Sequence, residues 1–411
     1  MKQTELIAKD PAVACTGRLM SLDALRGFDM FWIVGAGALV EALGKTTHHG
    51  ATQFLTTQLS HVQWAGFHFY DLLFPMFVFI AGVSLVFSTD KAIAQQGKLK
   101  AVLRLARRCS LLFLLGLFYY GGMSSQWPDI RLSGVLQYIG LASFFGGLLY
   151  IAVRSARVIA AVCAAILLGY WALMSLMPFP DLHLDKDSLA KTVAQVGSQS
   201  PAVVIQSASG CVCGHYEEGY NLSNYVDYRF LPGKKINGAY ESQPLLGIMG
   251  VISACLLGIL GGLWLRRSDV RDSYKVAGLL EAGAAGVLIG FAWGLQIPVV
   301  KKLWSPSFVL VASGYSAILL GVFYCIVEVW KKQRWCLPFV WIGMNPITIY
   351  LAHNIVSFQT LAARFAGGDV ERCLDTYVAK GAGGVLLALV ELGLTFLLVR
   401  FLYVRKIFIR L

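Results

Sequence analysis

Apolar, charge-poor stretches punctuate the chain at 25–44, 67–88, 109–122, 133–153, 158–177, 245–265, 276–296, 308–330, 339–358 and 382–403. Most approach the roughly 20 residues with which an α-helix crosses the hydrocarbon core of a bilayer. The pattern predicts an all-α, polytopic integral membrane helical bundle with about ten transmembrane helices. Residues 1–24 are polar and lack the apolar stretch and small-residue cleavage site of a secretory signal, so the first helix is expected to serve as the targeting signal and to stay. The organisation read from the pattern is a cytoplasmic segment 1–24, a single transmembrane domain 25–403 and a tail 404–411. The connection 178–243 is the one sizeable polar segment and is expected to be external. No internal repeat of the kind that marks many transporters is visible.

Composition agrees with this pattern. Of 411 residues, 57% are hydrophobic and 14% charged, and the mean hydropathy is +0.63. A soluble domain carries about 25% charged residues, so a single soluble core is excluded. The net charge of +12 reports orientation and contact with anionic lipid, with no nucleic-acid partner implied. In a ten-helix arrangement, 23 of the 35 Lys and Arg residues fall on one side. They include Lys2, Lys9, Arg18, the tract 91–108, Arg266, Arg267, Arg271, Lys275 and Arg410. Both termini are therefore expected to be cytoplasmic. Cys15, Cys109, Cys163, Cys255, Cys325 and Cys336 fall in helices or on the cytoplasmic side, while Cys211, Cys213 and Cys373 face an oxidising compartment. One external pair can bridge or stay as thiols. Cys211-Val212-Cys213-Gly214-His215 lacks a fourth ligand and the usual spacing, so no metal is expected.

Four polar constellations lie where polar groups are costly. At the entry of helix 1, Asp23 and Asp29 each lie three residues from Arg26, within helical reach of its guanidinium, or the group is an interfacial anchor. Before helix 2, His61, Trp64, His68, Asp71 and Pro75 recur at spacings of 3, 4, 3 and 4, which would align them on one face if the helix begins early enough. An imidazole with a carboxylate partner can act as general base or acyl acceptor; a hydrogen-bonded surface histidine is the plainer reading. His48 and His49 lack such company. Lys301 and Lys302 sit in an external turn against the charge bias, pointing to an anionic partner or a salt bridge. Asn345 and His353, eight apart and about 80° around a helix axis, can face one interior cavity; helix-packing contacts are the competing account.

Read together, these stretches resemble the membrane acyltransferases of the heparan-α-glucosaminide N-acetyltransferase family, including bacterial DUF5009-like relatives. Ser21-Leu22-Asp23-Ala24-Leu25-Arg26-Gly27 is similar to the family's S-x-D-x-x-R-G. His61, Trp64, Gly66, Asp71-Leu72, Phe74-Pro75 and Phe77 resemble H-x-x-W-x-G…D-L-x-F-P-x-F. Arg131 to Gln137 resemble R-I-x-G-V-L-Q; Tyr225-Val226-Asp227 and Leu231-Pro232-Gly233 resemble Y-I-D and L-P-G. Lys301-Lys302-Leu303-Trp304 with Ser307, and Gly343-Met344-Asn345 with Tyr350 and His353, resemble two further motifs.

The resemblance implies transfer of an acetyl group from cytoplasmic acetyl-CoA to the amino group of a glucosamine-type sugar across the membrane. It implies a bacterial inner-membrane location and a homodimer. His61 stands at the family's active-site histidine and Asp71 is expected to orient it. Arg26, Asn345, His353, Trp304, Lys301, Arg131 and Gln137 are expected near the acetyl-CoA, with Arg26 or residues near Arg104 on its phosphates. Asn345 and His353 are expected to polarise the thioester or line its tunnel, and Trp64, His68, Asp227 and Glu241 to contact the sugar. The chain departs from the family at Gly35-Ala36-Gly37, where a polar contact is missing, at Tyr138, and at 240–244, which keeps only the acid Glu241. Those departures bear on the acceptor. A sugar transporter using the same polar groups as relays, and an O-acyltransferase acting on a glycan or lipid hydroxyl, are the alternatives.

Overall fold

The computed structural model describes residues 19–47, 49–124 and 126–408. The expectations placed on Lys2, Lys9, Cys15, Arg18, His48 and Arg410 lie outside the described residues.

Helix α1 (Met20–Phe31) passes through a wide turn at Trp32–Ala36 into α2 (Gly37–Thr46), together one 27-residue apolar element. A short α3 (Gly50–Gln58) precedes α4 (Phe69–Gln96), α5 (Lys98–Tyr119), α6 (Val135–Val153) and α7 (Ala156–Leu176). The long connection folds into α8 (Lys186–Val196), α9 (Pro201–Gln206), α10 (Leu222–Phe230) and two antiparallel pairs of two-residue strands, β1 (Phe179–Pro180) with β2 (Cys211–Val212), and β3 (Tyr216–Glu217) with β4 (Tyr220–Asn221). Then come α11 (Gly247–Arg266), α12 (Asp272–Trp293), α13 (Pro306–Tyr324), α14 (Leu337–Met344), α15 (Pro346–Ile355), α16 (Phe358–Ala366), α17 (Asp369–Tyr377) and α18 (Ala382–Val404).

Among the described residues, eight helical elements are long and apolar enough to cross a membrane, or nine when the pair around α14 and α15, bent by 66°, counts as one. This is an all-α integral membrane protein. Every stretch expected from the sequence falls on one of these elements except 109–122, which is the second half of α5. The first half of α5 carries Lys98, Lys100, Arg104, Arg107 and Arg108, so its 22 residues are too charged to qualify by composition. The helices that the apolar pattern leaves out, α3, α8, α9, α10, α16 and α17, have at most 11 residues each.

Two close helix crossings hold the bundle around the site. Gly82 on α4 lies against the backbone of Cys255, and Gly258 on α11 against that of Phe79, so a methyl group at either would overlap a carbonyl oxygen. Gly27 on α1 and Gly343 on α14 meet in the same way, a Cβ on one colliding with Phe339 O and on the other with Asp23 O. Small residues at such crossings let backbones approach where lipid offers no hydrophobic drive to associate. The second crossing joins the Arg26-Gly27 and Gly343-Met344-Asn345 motifs in space, 316 residues apart in the chain.

Candidate active site

Helix α4 starts at Phe69, so residues 60–68 are not helical. The alignment of His61, Trp64, His68, Asp71 and Pro75 on a helical face is therefore corrected: the chain folds back over the helix end. Asp71, in the first turn of α4, causes this. Its Oδ2 accepts from the backbone N–H of His68 (3.2 Å) and of Val62 (3.3 Å), pinning the incoming strand. Its Oδ1 lies 2.8 Å from His61 Nδ1 and 3.3 Å from Lys301 Nζ. A carboxylate that is 1% exposed is costly unless its lone pairs are filled, and four donors fill these.

The tautomer of His61 follows from these partners. An ionised carboxylate only accepts, so Nδ1 carries the proton donated to Asp71, which leaves Nε2 as the acceptor nitrogen of the neutral ring. Lys301 Nζ approaches Nδ1 to 3.0 Å and Nε2 to 3.5 Å, while its own hydrogen-bond acceptor is Asp71. The ring of Tyr70 covers one side of the imidazole at 4.7 Å. The His61 side chain is 54% exposed, so its free nitrogen is accessible.

Lys301 arrives from the turn between α12 and α13. Gly66 N–H donates to Val299 O (2.9 Å) and Ala65 pairs with Val300 as a β-bridge, fixing that turn to the strand carrying His61. Within the turn, Ser305 Oγ donates to Pro298 O and accepts from Val300 N–H, and Ser307 Oγ donates to Ile297 O. Trp304 holds a left-handed backbone at φ 53°, a cost of order 1–2 kcal/mol for a bulky residue. The ring offsets this strain by packing edge-on against Phe74 and Phe308. Burial lowers the pKa of Lys301, and the Asp71 carboxylate partly restores it.

A cavity of about 230 Å³ opens beside this group. His61, Lys301, Tyr70 and Gln243 supply polar lining; Met30, Ile33, Pro346 and Ile347 are among the apolar lining, and Tyr350 on α15 stacks on Tyr119 of α5. Two interrupted helices border it, α1 at the wide turn 32–36 and the α14–α15 pair at the break before Pro346.

Several expected site residues lie elsewhere. Arg26 reaches Asp23 (3.3 Å) and Ser84 Oγ (2.7 Å), but Asp29, fully buried, has no hydrogen-bond partner on either oxygen among the described residues. Its arm of the expected pairing is absent. The break before Pro346 defeats the angular arithmetic for Asn345 and His353: Asn345 Nδ2 donates to Ile407 O (3.0 Å), and His353 stacks on Phe358 with Glu391 at 3.7 Å. Neither lines the cavity. Arg131 is held in a buried pair with Glu241 (2.9 Å), Gln137 is buried with both amide atoms unpartnered among the described residues, and Trp304 is buried in the core. None of the three lines the cavity.

Asp227 and Glu241, expected on the sugar, are buried and bonded to protein partners. Asp227 accepts from the N–H groups of Glu241 (3.1 Å) and Leu245 (2.8 Å), and both carboxyls are buried. Burial, with Glu241 beside it, pushes the Asp227 pKa up to about 7. Together with Arg131, whose Nη2 donates to Gln243 Oε1 (2.8 Å), they position Gln243 on the cavity. Trp64 Nε1 donates to Tyr216 O (2.7 Å), Lys302 lies over its ring and pairs with Glu218 (2.6 Å), and His68 Nδ1 donates to Ser60 O (3.1 Å). Trp64, Lys302 and His68 are not among the residues lining the cavity. Cys211, Cys213 and Cys373 are exposed free thiols.

Sequence reasoning missed Tyr70 and Gln243. Tyr70 adjoins the marked Asp71, and Gln243 lies in the 240–244 segment treated only as a departure from the family pattern.

A family model described as a domain of unknown function (DUF5009) matches residues 18–180, which include His61 and Asp71. Human heparan-alpha-glucosaminide N-acetyltransferase is similar at 25% identity over 380 residues, 82% of this chain and 53% of the human protein. The mouse protein of the same name is 26% identical over 354 residues, 72% of this chain and 49% of its own length. The chain thus spans about half the length of the curated relatives it matches. These matches bear out the resemblance drawn from the motifs.

Proposed function

We propose that this protein is a transmembrane acetyltransferase that moves an acetyl group from acetyl-CoA to the amino group of a glucosamine-type sugar. The observation that carries the reading is the His61–Asp71 pair, with His61 among the residues that line a largely apolar cavity. A neutral imidazole backed by a buried carboxylate can take the proton of an attacking amine or carry the acyl group itself.

The cavity suits the acyl donor in part. About 230 Å³ with largely apolar walls accommodates an acetyl thioester and the chain next to it, and leaves the nucleotide outside. A phosphate-bearing end would meet Arg26, Arg104 and Arg108, which lie within electrostatic reach of one another through Arg108. The Nε of Arg108 is buried without a partner among the described residues. Met30, which lines the cavity, lies one helical turn, about 6 Å, from Arg26. The reading requires that turn to open when the donor enters from the side of Arg26, which we read as cytoplasmic from the bias of Lys and Arg residues.

A test follows directly. Purified protein is incubated with radiolabelled acetyl-CoA and a panel of amino sugars, and wild type is compared with His61→Ala. Label on the sugar that the substitution abolishes supports the reading; label on a hydroxyl-bearing acceptor alone moves it to O-acyl transfer. The two broken helices beside the cavity favour a second reading, a sugar transporter, because discontinuous helices build many transport sites. Sugar flux in vesicles without thioester consumption would establish it.

A further inference from the structure

Acyl transfer to an amine needs a group that stabilises the oxyanion formed as nitrogen adds to the carbonyl. Asn345 and His353 are not among the residues lining the cavity: one donates to Ile407 O and the other stacks on Phe358. Among the residues that line the cavity, Lys301 is the one Lys or Arg. Its Nζ lies 3.0 Å and 3.5 Å from the two ring nitrogens of His61, so a carbonyl that comes within reach of Nε2 also comes within reach of the ammonium. The group is held on two sides: Asp71 accepts its hydrogen bond, and the turn 297–305 is fixed through Val299 and Val300 to the strand that carries His61. Preorganised charge of this kind costs no reorganisation during reaction.

We propose that Lys301 is a catalytic residue, its ammonium group receiving the negative charge that develops on the carbonyl oxygen during acyl transfer. The assignment rests on the acetyltransferase reading above. In the step, the amine nitrogen forms a bond to the carbonyl carbon, the C=O electron pair moves to oxygen beside Lys301, and His61 Nε2 takes the proton from nitrogen. Collapse restores the C=O bond, breaks the C–S bond and returns the proton from His61 to the departing thiolate. Lys301 is neither consumed nor deprotonated. A simple counter-ion to Asp71 would have the same neighbours, so the test must separate the two roles. Asp71, His61 and Tyr70 are the titratable groups that face Lys301 across the site. Burial lowers the Lys301 pKa, which places loss of its proton on the basic limb of the kcat profile.

The experiment uses the full chain in nanodiscs, as wild type, Lys301→Met and Lys301→Arg. It measures kcat and KM for the amino sugar across pH, and binding of the unreactive ketone analogue S-acetonyl-CoA by calorimetry. The expected result is a fall in kcat of roughly 10²–10³-fold in Lys301→Met, with analogue affinity changed less than about threefold because charge develops only in the transition state. Lys301→Arg recovers part of kcat and moves the basic limb to higher pH, since guanidinium holds its proton. Wild-type kcat in Lys301→Met, or Met and Arg variants with the same unshifted limb, overturns the assignment while leaving acyl transfer intact. Lost analogue binding in Lys301→Met also overturns it, assigning the residue to structure. A wild type that consumes no thioester overturns the underlying reading as well.

Discussion

His61 Nδ1 and Asp71 Oδ1 stand 2.8 Å apart although the helix that carries Asp71 begins only at Phe69. The carboxylate both caps its helix and orients the imidazole, so one side chain links the fold to the chemistry. Asp71→Asn retains the size of the group and offers N–H where an acceptor is needed, which favours the other His61 tautomer. Acetyl transfer is expected to fall roughly 10²–10⁴-fold, as when the orienting carboxylate of a catalytic triad is replaced. Steady-state kcat checks this, and an activity within a few fold of wild type would remove Asp71 from the mechanism.

Ile33 lines the cavity from the wide turn after α1. Ile33→Trp fills part of that space and leaves the His61–Asp71 residues themselves unchanged. Acyl transfer is expected to drop about tenfold or more, since small displacements of a reacting group carry large costs, while the thermal midpoint changes little. Unchanged kcat/KM would show that the acyl chain does not occupy this part of the cavity.

Arg131 and Glu241 form a pair whose side chains are 11% and 0% exposed. Removing the arginine strands a buried carboxylate, so Arg131→Ala is expected to destabilise by about 3–5 kcal/mol. The double variant Arg131→Met, Glu241→Leu should recover much of that loss. Thermal unfolding in detergent provides the comparison; equal stability of all three proteins would contradict the buried-pair account.

The pKa of Asp227 is raised by burial from an ordinary 3.8 to about 7. The folded state therefore holds a proton there that the unfolded state releases at lower pH. The stability this contributes is fully present below about 3.8 and is lost as pH rises through about 7. Thermal midpoints measured across this window should decline more in wild type than in Asp227→Asn, and parallel profiles would assign the titration to another group.

Gly27 and Gly343 face each other's helix backbone with no room for a side chain. Alanine at either position is expected to cost about 1–3 kcal/mol through forced displacement of the crossing, read as a lower thermal midpoint. Full stability would mean that α1 and α14 separate freely.

The membrane-spanning helices were legible because bilayer thickness sets a length that apolar stretches must meet, whereas the stretch around 109–122 falls in α5, which the charges at its start keep from qualifying as a span. The His61–Asp71 pairing was also legible, from residue type and proximity, but its geometry was not: periodicity assumes a helix, and the capping bonds of Asp71 prevent one at 60–68. The same limitation misplaced Asn345 and His353, because a bend of 66° before Pro346 separates what the helical angle had joined. Lys301 reached the site through a turn tied to a distant strand, and no local pattern encodes that contact.

The central claim is that a thioester presented on the Arg26 side reaches His61 on the other. Protein reconstituted in one orientation into sealed vesicles is given radiolabelled acetyl-CoA only on the Arg26 side and an amino sugar only on the His61 side. The account predicts labelled N-acetylated sugar on the His61 side for wild type and none for His61→Ala. Product formed only when both substrates share a compartment, or formed equally by the variant, would contradict it.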